Sequence, residues 1–222
     1  MAQLGAVLFD MDGVILDSEP FHEGVFVEFA RQLGLAFTPA QYRPLIGMSS
    51  LNQWQLLKEE YRLDGTPQEL SDARMAQYKR FLATKRNLRP IAGITNLLED
   101  LRLNAVPFAL ASSATGDVIA ASLVAVGLHQ IITTRIGGGE VEYSKPAPDI
   151  FLLAAARLGV APHDCVVIED STSGVTAAIR AGMRCIGFKN PNSQGQDLSR
   201  ADRVLTTLEG LTAAGISALF SG

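Results

Sequence analysis

The sequence predicts an α/β protein in which a doubly wound parallel sheet carries an all-helical insertion, and three observations predict it. From Pro90 onward, short apolar runs alternate with helical patterns, the order expected of parallel strands covered on both faces. Between Leu16 and Arg86 the patterns are helical, with no convincing strand. Two acidic pairs stand where apolar runs end: Asp10 and Asp12 after Gly5-Ala6-Val7-Leu8-Phe9, and Glu169 and Asp170 after Cys165-Val166-Val167-Ile168. In open α/β sheets ligands bind at strand ends.

The elements follow in order. The first strand ends at Asp10, and Gly13 lets the backbone turn away tightly. From Glu19 to about Gly34, the residues Phe21, Val25, Phe26, Phe29, Ala30 and Leu33 recur at helical spacing, with Pro20 suited to a first turn. Helical patterns continue near 51–61 and 67–82, punctuated by Gly47, Gly65 and Pro67. The chain is thus expected to divide into a core of 1–15 with 87–222 and a helical insertion of 16–86, with hinges near Leu16 and Asn87. Beyond Pro90 the pattern predicts a helix at 91–103, a strand at 106–111, a helix at 115–126 and a short strand at 131–133. A helix at 146–158 stopped by Gly159, a strand at 165–168 and a helix at 172–181 ended by Gly182 come next. A strand at 185–188, a short one near Val204 and an Ala-rich terminal helix complete the pattern. Residues 189–201, rich in Asn, Ser and Gln, read as an exposed loop.

Composition limits the function. A chain of 222 residues that is 47% hydrophobic and 19% charged can bury one substantial core and a smaller accessory unit. Lys and Arg total 19 against 23 Asp and Glu, a net charge of −4, which offers no footprint for nucleic acid or an anionic membrane. A small molecule is the expected partner. Cys165 and Cys185 fall in apolar runs and read as buried thiols, which suits a reducing, cytoplasmic setting. No basic region followed by a long apolar stretch precedes the first strand, and no run is long enough to span a membrane.

The acidic strand ends carry the chemistry. Carboxyl groups gathered there repel one another and lose hydration, and a divalent cation held by oxygen ligands compensates. In Asp10-Met11-Asp12-Gly13-Val14 one carboxylate can attack while the other gives and takes a proton, a division suited to phosphoryl transfer through an aspartyl-phosphate. Asp-x-Asp-Gly also occurs in calcium loops, but the apolar Val14 and Leu16 break the ligand pattern of an EF-hand. Ser112 and Ser113 follow the apolar run Phe108-Ala109-Leu110-Ala111, where a hydroxyl and backbone N–H groups can cradle phosphate oxygens; the alternative reading of Ser112, Ser113 and Thr115 is as ordinary helix caps. Lys145 precedes a Pro-fixed helix opening, where a cation opposes the helix dipole; it reads as a charge aimed at a phosphate or as a solvated loop lysine.

Together these segments resemble the haloacid dehalogenase superfamily. Motif one is similar to Asp10-Met11-Asp12-Gly13-Val14, motif two to Ser112, motif three to Lys145 with Pro146, and motif four to Glu169-Asp170 followed by Ser171-Thr172-Ser173-Gly174. The segment from Lys145 to Phe151 and the run from Val167 to Gly182 resemble the β-phosphoglucomutase-like branch, in which a helical cap follows motif one. The resemblance implies a Rossmann-like core with Asp10 as nucleophile and Mg²⁺ ligand. It implies Asp12 as general acid/base lending its backbone carbonyl to the metal, Asp170 as a direct ligand, and Glu169 as a direct or water-mediated one. Ser112, Ser113 and Lys145 would then hold the phosphoryl group of a small phosphorylated metabolite, with a sugar or polyol phosphate favoured by the branch.

Within that superfamily, Asp12 argues against the dehalogenases proper and the phosphonoacetaldehyde hydrolases, which lack a second aspartate in motif one. Phosphatase and phosphomutase remain, with a non-catalytic phosphate-binding protein as a third reading. His22 matches a histidine of the mutases that many phosphatases share, and is otherwise a polar residue of the first insertion helix. Mutases of this branch place an Arg after Gly-x-Ser in the cap and Lys-Asn shortly after the motif-two serine; here Ser50 and Thr115-Gly116 stand instead. Losing those anchors for a second phosphate favours a phosphatase. Arg43, Met48, Asn52, Gln53 and Trp54 are candidates for specificity, with a core role the better reading of Trp54.

Overall fold

The computed structural model describes residues 4–220 apart from Gly47, Ser49, Arg86, Asn87 and Gln194. The expected hinge at Asn87 and the Gly47 and Ser49 of the cap motif lie outside the described residues. Contacts divide the chain into two compact units, one of 1–17 with 86–222 and one of 18–85.

The first unit is built on a six-stranded sheet, every pairing parallel, in the order β3-β2-β1-β4-β5-β6. Its strands are β1 (Ala6–Phe9), β2 (Phe108–Ser112), β3 (Arg135–Gly137), β4 (Cys165–Glu169), β5 (Arg184–Phe188) and β6 (Arg203–Leu205). All four residues of β1 are fully buried, as a central strand covered on both faces requires. Phe9 pairs with Leu110 on one side and Ile168 on the other, so Asp10, Ser112 and the Glu169-Asp170 pair emerge at one end of the sheet. Chain order reverses at β1, with β2 and β4 flanking it, which makes this end a topological switch point.

The second unit is helical. Its elements are α1 (Glu19–Gln32), α2 (Pro39–Tyr42), α3 (Ser50–Tyr61) and α4 (Pro67–Thr84). Thr66 caps α4 through a box with Glu69, whose Oε2 accepts from the Thr66 backbone at 2.7 Å. The unit has its own aromatic core, where Trp54 stacks on Phe26 at 4.8 Å and meets Phe29 edge-on at 5.3 Å. A side chain of that size, fully buried, costs about 3–5 kcal/mol when truncated to alanine. Trp54 therefore holds the unit together.

Among the described residues, five further helices belong to the first unit: α5 (Ile94–Leu103), α6 (Gly116–Ala125), α7 (Asp149–Leu158), α8 (Thr172–Arg180) and α9 (Ala213–Leu219). Phe151 and Ala154 of α7 and Val175 and Ala178 of α8 pack with Leu8, Ala109 and Val167 of the sheet. Cys165 and Cys185 are free, buried thiols in the same cluster. No helix among the described residues is long and apolar enough to cross a membrane.

Three expectations are corrected. The strand expected at 131–133 is a turn: the N–H groups of Ile131 and Ile132 both donate to Leu128 O, and Ile132 is buried as a plug. The β-branched pair mimics a strand, but turn geometry after Gly127 wins, and pairing starts only at Arg135, opposite Leu110. The helix expected from Pro146 begins at Asp149, because Ser144 to Ala147 closes a turn first. The tract at 189–201 is not simply exposed: Asn190 and Leu198 are buried.

Candidate active site

β1, β2 and β4 end around one ammonium group. Lys145, in the loop before α7, has a side chain only 5% exposed. It donates to Asp10 Oδ1 at 2.5 Å, to Glu169 Oε1 at 2.8 Å and to the Ala111 carbonyl at 3.1 Å. Those three bonds use all its donors and join the ends of three strands. The alternative of a solvated loop lysine is thereby excluded.

Asp10, Glu169 and Asp170 are all buried and can bring one oxygen each to within 4.8 Å of one another. Burial pushes the Asp10 carboxyl up to about 7; Lys145 opposes this, while Glu169 and Asp12 reinforce it. Asp170 is pushed up to about 9 by burial, then by the charges of Glu169 and Asp10. Burial alone would lower the Lys145 ammonium, but Asp10 and Glu169 outweigh it and hold it above its usual range. One ammonium facing three carboxyls leaves the cluster short of positive charge, and an all-oxygen donor set suits a hard divalent cation. The residues therefore fit a metal site.

Glu169 is fixed on both oxygens. Besides Lys145 on Oε1, its Oε2 accepts from the Ser171 N–H at 2.8 Å and the Ser171 hydroxyl at 2.9 Å. The Ser171 hydroxyl also caps α8 by accepting from Gly174 N at 3.0 Å, so this carboxylate rests at a helix N-terminus, where negative charge is favoured. Only glycine fits at 174, since a Cβ there would stand 1.6 Å from Glu169 Oε1. Asp12 is half-buried in the turn after β1, near enough to raise both Asp10 and Asp170 electrostatically.

Ser112 ends β2, is 1% exposed and accepts from Ala114 N at 3.1 Å; Ser113 is exposed. The helix cap of α6 is Thr115, three residues on, so Ser112 is not that cap. The turn between them packs on glycine, Gly138 lying so close that a Cβ would stand 2.4 Å from the Ser113 carbonyl.

His22 belongs to the helical unit, where it stacks on Tyr78 at 4.0 Å with Nδ1 3.4 Å from Arg74 Nη1. In that unit Arg43, Met48 and Asn52 are exposed, whereas Gln53 is buried and donates to the Leu45 carbonyl at 2.9 Å. Gln53 and Trp54 thus have structural duties. Ser50 accepts a hydrogen bond from the Ser71 hydroxyl at 2.8 Å, and the Thr115 hydroxyl donates to the Asp117 carboxylate.

The tract after β5 adds residues that sequence reading missed. Asn190 Nδ2 donates to the Gly13 carbonyl at 3.0 Å, Asn192 Nδ2 to Asp17 Oδ2 at 2.6 Å, and the Ser193 hydroxyl to Asp170 Oδ2. The available signal was position: β5 lies beside β4, so a polar tract leaving it starts at the sheet end that bears the acidic pairs.

The haloacid dehalogenase-like hydrolase family model matches residues 7–188. The chain belongs to that family. Among the haloacid dehalogenase-like relatives, the Phosphorylated carbohydrates phosphatase of Thermotoga maritima is 30% identical over 200 residues, covering 90% of this chain and 92% of its own. The Beta-phosphoglucomutase of Bacillus subtilis is 32% identical over 217 residues, covering 93% and 91%. The crystal structure of CbbY from Rhodobacter sphaeroides in complex with phosphate matches with a TM-score of 0.86 at 26% identity, over 97% of this chain and 100% of that one. This haloacid dehalogenase-like chain is therefore an enzyme of the hydrolase type, with phosphatases among its relatives.

Proposed function

We propose that the protein is a Mg²⁺-dependent cytoplasmic phosphatase that hydrolyses a small phosphorylated metabolite, a sugar or polyol phosphate, through an aspartyl-phosphate on Asp10. The observation that carries this reading is the buried Asp10–Lys145–Glu169 constellation, with Asp170 within reach, at the switch point of a parallel sheet. The similarity to a phosphatase of phosphorylated carbohydrates supports the substrate class.

Asp10, the Asp12 backbone carbonyl and Asp170 would hold the cation, with Glu169 assisting. When bound, it offsets the repulsion between an anionic nucleophile and an anionic substrate. Asp10 attacks phosphorus, and the bond to the leaving oxygen breaks as Asp12 protonates that oxygen. Lys145 and Ser112, with the backbone near Ser113, bear on the transferring phosphoryl oxygens and stabilise their charge. Asp12, now ionised, takes a proton from a water that attacks the phosphorus of the aspartyl-phosphate, which returns Asp10 and releases phosphate. Residues 16–86 would be the cap domain of this reading, with His22 as a substrate-binding residue.

A mutase reading is supported by the 32% identity to a β-phosphoglucomutase and by His22, which matches a histidine of the mutases. Against it stand Ser50, occupied by Ser71, and Thr115-Gly116, beside the carboxylate Asp117 rather than a cation. A phosphate-release screen over phosphorylated sugars, polyols and nucleotides, with and without Mg²⁺, tests the proposal. Mg²⁺-dependent release concentrated on sugar or polyol phosphates is expected; absence of release across the panel would favour a non-catalytic phosphate-binding protein.

A further inference from the structure

The loop that leaves β5 fastens the two halves of the acidic cluster together with three side chains. Ser193 donates its hydroxyl to Asp170 Oδ2, on a carboxylate that is 5% exposed. Asn190, 6% exposed, donates to the Gly13 carbonyl in the turn that carries Asp12. Its own carbonyl oxygen accepts from Asn192 N at 2.8 Å, which fixes which way the amide points. Asn192 in turn holds Asp17, the last residue of the first unit before the helical one.

Asp170 is confined on two sides. Gly13 presses on one flank of its carboxylate, since a Cβ on Gly13 would stand 1.8 Å from Oδ2. Ser193 bonds the same oxygen, so Oδ2 is boxed between a backbone and a hydroxyl, and the carboxylate can offer its other oxygen to a cation. A carboxylate fixed before the cation arrives loses less side-chain freedom on binding, and partners of this kind set metal affinity. Asn190 holds the other half of the cluster by keeping the Gly13 turn, and with it the Asp12 carbonyl, in register.

We propose that Asn190 and Ser193 are positioning residues that set the affinity of the acidic cluster for its divalent cation. The inference rests on the reading that Asp10 and Asp170 hold that cation, and it adds a loop outside the four motifs of the sequence.

The test is a titration of the metal-stripped full chain with Mn²⁺, followed by electron paramagnetic resonance, for the wild type and for Asp170→Ala, Ser193→Ala, Ser193→Thr and Asn190→Ala. Ser193→Ala and Asn190→Ala are expected to raise the Mn²⁺ dissociation constant roughly 10-fold or more. Ser193→Thr, which keeps the hydroxyl, is expected to restore most of the affinity, while the melting temperature of the metal-free protein shifts by less than about 4 °C. Wild-type affinity in Ser193→Ala, with Asp170→Ala weakened, would overturn the proposal and leave the cation site standing. A lowered affinity that Thr fails to rescue and that tracks a large fall in melting temperature would also overturn it, as general loosening of the fold. If the wild type itself fails to bind Mn²⁺, or Asp170→Ala binds as tightly, the cation site fails and the proposal with it.

Discussion

Gly13 and Asp170 occupy one another's space: a Cβ on Gly13 would stand 1.8 Å from Asp170 Oδ2. Gly13 also has φ of +81°, which side-chain-bearing residues rarely adopt. Two independent demands therefore fall on one residue, the tight exit from β1 and the close approach of a buried carboxylate of the acidic cluster. Gly13→Ala is expected to destabilise the fold by about 1–3 kcal/mol from backbone strain alone. Displacement of Asp170 should additionally weaken cation binding, and calorimetric titration with Mg²⁺ checks this. Unchanged stability and unchanged binding would contradict the packing.

The raised carboxyls make a pH prediction for the metal-free protein. Asp10 and Asp170 rise from an ordinary value of 3.8 to about 7 and about 9 on folding, chiefly through burial. The folded state thus binds more protons than the unfolded one between about pH 4 and 9, so stability falls as pH rises through that window. Melting temperature in chelator should decline from about pH 5 to 9, and Mg²⁺ should recover it most at the alkaline end, where both carboxylates are ionised. A melting temperature that climbs across this range without metal would contradict the assigned directions.

Much of this arrangement was legible in the sequence because it depends on local pattern. The apolar run before Asp10 is a central strand buried on both faces, and such a strand announces itself by lacking alternation. The acidic pairs and Lys145 stood out because their chemistry is costly without partners. What failed to show depends on distant contacts. Ile131 and Ile132 look like a strand until the turn to Leu128 is seen. Asn190, Asn192 and Ser193 look like loop filler, because nothing local says that Gly13, Asp17 and Asp170 lie opposite them.

The two acidic groups flanking Gly13 should separate by role. Asp12→Asn keeps the backbone carbonyl but removes the proton donor, so kcat at saturating Mg²⁺ should fall roughly 10²–10⁴-fold with little change in the Mg²⁺ requirement. Asp170→Ala should raise the Mg²⁺ requirement roughly 10-fold or more. Steady-state kinetics at varied Mg²⁺ distinguishes them, and equal effects of both variants on the Mg²⁺ requirement would reverse the assignment.

Given β-glucose 1-phosphate, a bisphosphate primer and Mg²⁺, the protein should release phosphate in preference to forming glucose 6-phosphate. Ser50 and Thr115-Gly116 supply no charged anchor for a second phosphate, so the dephosphorylated sugar should leave before it can turn round. Coupled assays for both products decide the point. Rapid, primer-dependent formation of glucose 6-phosphate would assign the grip on that phosphate to other residues of the helical unit, such as Arg43 or Lys79.

That Asp10 is the nucleophile is tested most directly by acid-quench trapping of labelled phosphate from a hydrolysed substrate, with mass spectrometry to locate the label. The wild type with Mg²⁺ should carry phosphate on Asp10, and Asp10→Asn should carry none and lack turnover while keeping its fold. Turnover retained by Asp10→Asn, with deamidation back to Asp excluded, or label on another residue, would contradict the account.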